Sequence, residues 1–252
     1  MCKNQILKNL TLAMFFIGCT VQLNAGSPIK VLLATGGHDY DRKAFAGMMD
    51  SFEGITWREL EHPAVFPAIK PEKWSETDVF LFYDSPNELS EENKADLIKL
   101  AGSGKPVIFL HHALCSYWGW NEFPLIIGCQ YVRKTYTEDG VTYKESNYKH
   151  DVTQPIAVTN KKHFITKGTK DFSIIDETYG SMRIFPGNKI LLESKAPEAT
   201  PPVLWTRVYG NGEIVSFQLG HDIQSFEHPD FKRLLQRAIE YAYKSGRKNI
   251  AK

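Results

Sequence analysis

Three stretches of the chain are apolar almost throughout: "IKVLLAT" (29–35), "DVFLFYD" (78–84) and "PVIFL" (106–110). Short apolar runs bounded by turn residues predict strands buried on both faces. "ITWREL" (55–60) alternates instead and predicts a half-buried strand. Helical patterns lie between them. "RKAFAGMMDSF" follows the first strand, and a second helix opens at Ser90 with Glu91 and Glu92 in its first turn, then closes at Gly102 and Gly104. Strand and helix alternating at this spacing predict a parallel sheet with helices on both faces.

Beyond residue 128 the pattern changes. "YVRKTYTEDGVTYKES" (131–146) alternates about Asp139-Gly140, a hairpin signal, and predicts a β excursion that continues through "PIAVTN" (155–160). "NKILLES" (188–194) and "PVLWTRV" (202–208) predict further strands, and Asn211-Gly212 turns the chain back into one ending at His221-Asp222. Phe231, Leu234, Leu235, Ala238, Ile239 and Ala242 then fall on one face of a helix that has Pro229 near its start.

The first 25 residues stand apart. Lys3 and Lys8 precede an apolar run, Leu10 to Val21, that is too short for a good membrane span. This is the layout of a secretory signal peptide, with Leu23-Asn24-Ala25 as a cleavage point. "FIGC" (Phe16–Cys19) is a looser alternative, a lipobox that would make Cys19 a lipid-bearing terminus. Either route predicts an exported protein, periplasmic or in the cell envelope, with a single domain over 27–246. Removing Lys3 and Lys8 from 30 basic residues leaves 28 against 29 acidic, a net charge of −1. So balanced a chain has no electrostatic footprint for nucleic acid. Cys115 and Cys129 remain after processing, and export would permit a disulfide between them.

Ionisable side chains gather where apolar runs end. His38-Asp39 follows the first strand, His111-His112 the strand at 106–110, and His221-Asp222 the last, while Asp176-Glu177 lies in "IIDETYG". In an open α/β sheet ligands bind at the carboxyl ends of the strands. If the pair at 111–112 stays extended, its side chains point opposite ways and only one faces a site. Cys115 has bulky neighbours and no small-residue elbow, which predicts a packed thiol rather than a nucleophile. One of Tyr117, Trp118 and Trp120 is expected to line a pocket.

Taken in order, "VLLATGGHDYD", "PVIFLHHALCSYWGWNEFPLIIGCQY", "HFITKGTKDFSIIDETYG" and "VLWTRVYGNGEIVSFQLGHD" resemble the ThuA-like, trehalose-utilisation family. The resemblance implies a flavodoxin-like three-layer α/β/α sandwich of the class I glutamine amidotransferase type, with the β excursion around 129–160. In that type a cysteine sits on a sharp turn after a central strand. Here "VIFLHHA" holds the position and the glutaminase thiol is missing, so glutaminase activity is not expected.

The family association implies sugar metabolism. The leading expectation is an exported enzyme acting on a keto-sugar or disaccharide derivative by histidine acid/base chemistry. His111 or His221 would be the base, Asp222 would orient His221, and Glu177 would be the acid or a hydroxyl anchor. His38, Asp39, His112, Trp118 and Tyr179 would contact the small-molecule carbohydrate. No cofactor is required, although His38, His111, His221 and Glu177 are suitable ligands for a divalent metal. The rival expectation is a non-catalytic carbohydrate-binding or scaffold protein on the same fold. Nothing in the sequence assigns an oligomeric state.

Overall fold

The computed structural model describes residues 27–86 and 88–250. The expected signal peptide, and Cys19 with it, lies outside the described residues. Among these residues no helix is long and apolar enough to cross a membrane.

The chain begins as β1 (Ile29–Thr35), α1 (Arg42–Asp50), β2 (Ile55–Glu61), α2 (Val65–Ala68), β3 (Val79–Phe82), α3 (Glu91–Gly102) and β4 (Val107–Leu110). A 3-10 turn, His111–Cys115, leads to α4 (Glu122–Ile127) and β5 (Cys129–Gln130). The hairpin β6 (Tyr136–Glu138) and β7 (Val141–Tyr143) precedes β8 (Asn147–Val158), β9 (Phe172–Gly180) and β10 (Arg183–Ile184). The chain ends with β11 (Lys189–Ser194), β12 (Pro202–Tyr209), β13 (Gly212–Phe217), α5 (Ile223–Glu227) and α6 (Pro229–Ile250).

Nine strands form one sheet in the order β2-β1-β3-β4-β13-β12-β11-β8-β9. The first five run parallel, and from β12 onward every neighbour is antiparallel. Within the parallel half each strand serves two cores, because successive side chains face opposite ways. Val31, Leu33, Val79, Leu81, Ile108 and Leu110 pack with Phe231, Leu234, Leu235 and Ile239 of α6. Leu32, Ala34, Phe80, Phe82, Val107 and Phe109 pack with Leu97 and Leu100 of α3 and Phe123 and Ile126 of α4. This is the expected three-layer arrangement. Asp41 and Ser90 cap α1 and α3, accepting from the backbone N–H of Ala44 and Asn93.

The β excursion around 129–160 is present: β5 pairs with β10 and β6 with β7, about Asp139-Gly140, in two small sheets apart from the main one. β8 re-enters it, pairing with β11 on one side and β9 on the other. No disulfide joins Cys115 and Cys129, which are free and buried in the core on the α3/α4 side.

The antiparallel half determines what the sheet can build. β9 lies five strands from β4, about 24 Å away in a flat sheet at ~4.8 Å per strand. Yet side chains at the ends of these two strands meet at 3.0 Å. Twist and coiling therefore curl the β8–β9 ribbon over the carboxyl edge of the parallel half. Counting the antiparallel reversals from β13, β9 runs in the same direction as β4, so its carboxyl end arrives at that edge, together with the amino end of β8.

Candidate active site

β4 is extended to Leu110, and His111 then turns into the left-handed region at φ 52°. That conformation costs a non-glycine residue roughly 1 kcal/mol or more and persists only where surroundings hold it. Here the imidazole is fully buried and held at both nitrogens. Nδ1 lies 2.7 Å from the Gln218 carbonyl oxygen, to which it can only donate. That leaves Nε2 to face Glu177 Oε2 at 3.0 Å, His221 Nδ1 at 3.2 Å and the Tyr179 hydroxyl at 3.2 Å.

His221 reaches this point because the loop after β13 is tied across to β9. The buried Asp176 carboxylate accepts the backbone N–H groups of Gly220 (2.7 Å) and His221 (3.0 Å). Gly220 has φ 119°, and a Cβ there would lie 2.9 Å from the Phe231 ring, so the loop requires glycine. Glu177 stands at the carboxyl end of β9, 3.4 Å from His221 Nδ1 through Oε2 and 3.6 Å from His150 Nδ1 through Oε1. Burial alone would raise the Glu177 carboxyl, but hydrogen bonds from His111 and His221 outweigh it and hold the group well below the carboxylate range. The same contact raises His221 above the ordinary imidazole value.

Two further imidazoles flank this corner. Gly37, at φ 79°, brings its loop so close to Ser85 that a Cβ would fall 2.4 Å from the Ser85 carbonyl oxygen. The next residue, His38, stacks on His112 at 4.5 Å and meets the His221 ring edge-on at 6.3 Å. His38 Nδ1 is 2.5 Å from the Asp39 carbonyl oxygen, which makes Nδ1 the donor and leaves Nε2 as the acceptor of the neutral ring. Burial lowers His38 below the ordinary imidazole value. It lowers His112 further, helped by the charges of His111 and His38.

These groups open onto a cavity of about 270 Å³ lined by His38, His112, Tyr131, Arg133, His150 and Glu177, with Tyr148 and Tyr179 beside them. Five of the eight histidines therefore gather around this cavity and its corner.

Several expected roles change on this geometry. The pair at 111–112 is not extended; in the 3-10 turn both rings lie at the site, with His111 fully buried behind the cavity wall. Asp222 caps α5, accepting from the Gln224 N–H at 2.9 Å, and does not hold the His221 ring. Orientation of His221 falls instead to Asp176 and Glu177. Asp39 is exposed and contributes its carbonyl. Trp118 lies outside the histidine cavity, half-exposed, with the Arg133 guanidinium 3.5 Å above its ring. Burial pushes the Cys115 thiol far up, which leaves it unreactive.

His150, Tyr131, Arg133 and Tyr148 escaped the sequence reading. His150 lies in a break in the β8–β9 register between Lys149 and Val152, where Asp151 adopts φ 55°. The bulge turns His150 toward Glu177, and no periodicity marks it.

A half-parallel sheet flanked by helices, with a residue of positive φ following the central strand, defines a protein of the glutamine amidotransferase-like fold. Within that class, the chain belongs to the ThuA family: the family model described as "Trehalose utilisation" matches residues 30–242. A ThuA-like protein from Parabacteroides merdae is similar in structure at TM-score 0.69 and 20% identity, over 86% of this chain and 90% of that one. A second, from Bacteroides uniformis, gives 0.63 and 18%, over 86% and 92%. A GMP synthase component from Thermoplasma acidophilum shares the fold at TM-score 0.55 and 11% identity, over 89% and 98%. A search of curated proteins found no match. Family membership points to a carbohydrate-related role.

Proposed function

We propose that the protein is an exported enzyme that transforms a keto-sugar or keto-disaccharide by moving a proton next to its carbonyl. The observation that carries this reading is the pairing of an electrophilic corner, His111–Glu177–His221, with neutral imidazoles across one small cavity. Groups whose surroundings push their proton affinities apart are the usual mark of an acid/base pair. Export rests on the layout of residues 1–25.

In this scheme the sugar ring lies against Tyr131, Tyr148 and Arg133, with its carbonyl oxygen toward the corner. His38 Nε2 takes the proton from the adjacent carbon. The electron pair moves into the enolate, whose oxygen carries the developing charge at the corner. The enolate then collapses by reprotonation at the neighbouring carbon, an isomerisation, or by expelling a β-oxygen substituent that takes up a proton, an elimination.

The test is incubation of the purified protein with disaccharides and their 3-keto derivatives, followed by mass spectrometry. Conversion of a keto-sugar that falls about 100-fold in His38→Gln would support the proposal. Tyr131 and Tyr148 also favour a second reading, a carbohydrate-binding module. Unaltered sugars that nonetheless bind, with affinity lost in Tyr131→Ala and kept in His38→Gln, would replace the first reading with it.

A further inference from the structure

Three acceptor-capable atoms converge on one point at the electrophilic corner. His111 Nε2, His221 Nδ1 and Glu177 Oε2 are separated by 3.0, 3.2 and 3.4 Å. Since His111 Nδ1 donates to the Gln218 carbonyl, the neutral ring would present a bare lone pair at Nε2 to the carboxylate oxygen. Bare nitrogen and ionised oxygen repel at that distance, so the corner requires positive charge. The Tyr179 hydroxyl can donate to His111 Nε2 and one proton can bridge His221 Nδ1 and Glu177 Oε2, but neither relieves the 3.0 Å edge between His111 Nε2 and Glu177 Oε2.

We infer that His111, His221 and Glu177 hold one divalent transition-metal cation, of the zinc class, with its open positions toward the cavity. A cation bound by nitrogen and oxygen at about 2.0–2.2 Å places its ligand atoms about 3.3–3.5 Å apart in a tetrahedron, or about 3.0 Å at right angles. The three separations lie within that span. Two imidazoles and one carboxylate are the donor set of a site that keeps a coordination position free for water or substrate, and no thiolate competes. The surroundings also fit a ligand shell. The His111 Nδ1–H to Gln218 carbonyl bond fixes the tautomer that bares Nε2, as the outer hydrogen bond of a metal-bound histidine does. Asp176 anchors the loop carrying His221, and the Tyr179 hydroxyl supports Glu177.

The inference deepens the proposed function, on whose reading of the corner as an electrophile it rests. The cation would stand where a proton would otherwise polarise the carbonyl, and neighbouring oxygens of a keto-sugar suit its open positions.

The experiment uses metal-free protein, prepared by dialysis against a chelator and titrated calorimetrically with Zn²⁺ alone. A parallel titration with Co²⁺ follows visible absorbance. One equivalent of Zn²⁺ per chain is expected, weakened at least about 100-fold in Glu177→Gln and in His221→Gln and unchanged in Asp222→Asn. The Co²⁺ bands should disappear in Glu177→Gln, with far-UV circular dichroism establishing that the variant is folded. Less than 0.2 equivalent of Zn²⁺, or binding indifferent to Glu177→Gln in folded protein, overturns the inference. Keto-sugar turnover at full rate by metal-free protein would overturn it while leaving the proposed function standing. Stoichiometric Zn²⁺ at this site without turnover of any sugar would do the reverse.

Discussion

Two histidine–carboxylate clusters lie at the same sheet edge and do different things. At the ends of β2 and β3, His62 Nε2 meets Asp84 Oδ2 at 2.5 Å, and the Tyr117 hydroxyl donates to the same oxygen at 2.9 Å. Ser116 Oγ donates to the Asp84 carbonyl, closing the loop after β4 onto β3. Asp84 is wholly buried, and neither Asp84 nor His62 lines the histidine cavity. The His111–Glu177–His221 cluster has the same residue types at comparable distances, but three of its acceptors share one focus beside a cavity. Chemistry of residue type is equal in the two places. Direction decides: in the first cluster His62 Nε2 and the Tyr117 hydroxyl both point at one carboxylate oxygen away from the cavity, whereas the second gathers three acceptor-capable atoms beside it.

Breaking each cluster in turn should separate fold from function. Glu177→Gln keeps the volume and removes the charge, so turnover in the keto-sugar assay should fall about 1,000-fold, ~4 kcal/mol of barrier, while the melting temperature moves by only a few degrees. A variant that retains more than a tenth of wild-type activity would contradict the role given to the carboxylate. Asp84→Ala strands His62 and the Tyr117 hydroxyl in the interior. It should cost about 3 kcal/mol in urea unfolding, with activity per folded molecule within about threefold of wild type.

The pH dependence of metal-free protein sharpens the contrast. Glu177 is depressed in the folded state, so its contribution is complete above the ordinary carboxylate value of 4.5 and is lost as pH falls below it. His221 is raised, so its contribution is complete below the ordinary imidazole value of 6.5 and is lost as pH climbs through the raised value. The stability difference between wild type and Glu177→Gln should therefore peak between about pH 4.5 and 6.5 and shrink on either side. A flat difference from pH 3 to 9 would mean that the cluster is not coupled as its distances imply. Asp222→Ala should cost at most about 1 kcal/mol of stability, the value of an N-cap, and leave kcat and KM unchanged. Loss of kcat there would restore it as the group that orients His221.

Local physics made part of this legible along the chain. Strands that are apolar throughout, such as Val79–Phe82 and Val107–Leu110, have to be covered on both faces, which requires helices on both sides of a parallel sheet. The ends of those strands then mark His38, His111, His112 and His221, because a strand-end position is readable from the strand itself. The rest depended on contacts between residues far apart in the chain. Glu177 meets His111 across 66 positions because a nine-stranded sheet curls, and curl is a property of many strands together. His150 was hidden for a related reason. It lies at the amino end of an antiparallel strand, where a rule about carboxyl ends does not look, and a bulge turns its ring toward Glu177. Asp222 illustrates the opposite case, an acid beside a histidine whose hydrogen bonds are consumed by the first turn of its own helix. Sequence alone settled the strands of the parallel half, the faces they bury and the imidazoles at their ends, but not β9, which carries Glu177. Only tertiary structure decided which of those imidazoles share a carboxylate, since that depends on the direction and curvature of strands whose residues never neighbour one another in the chain.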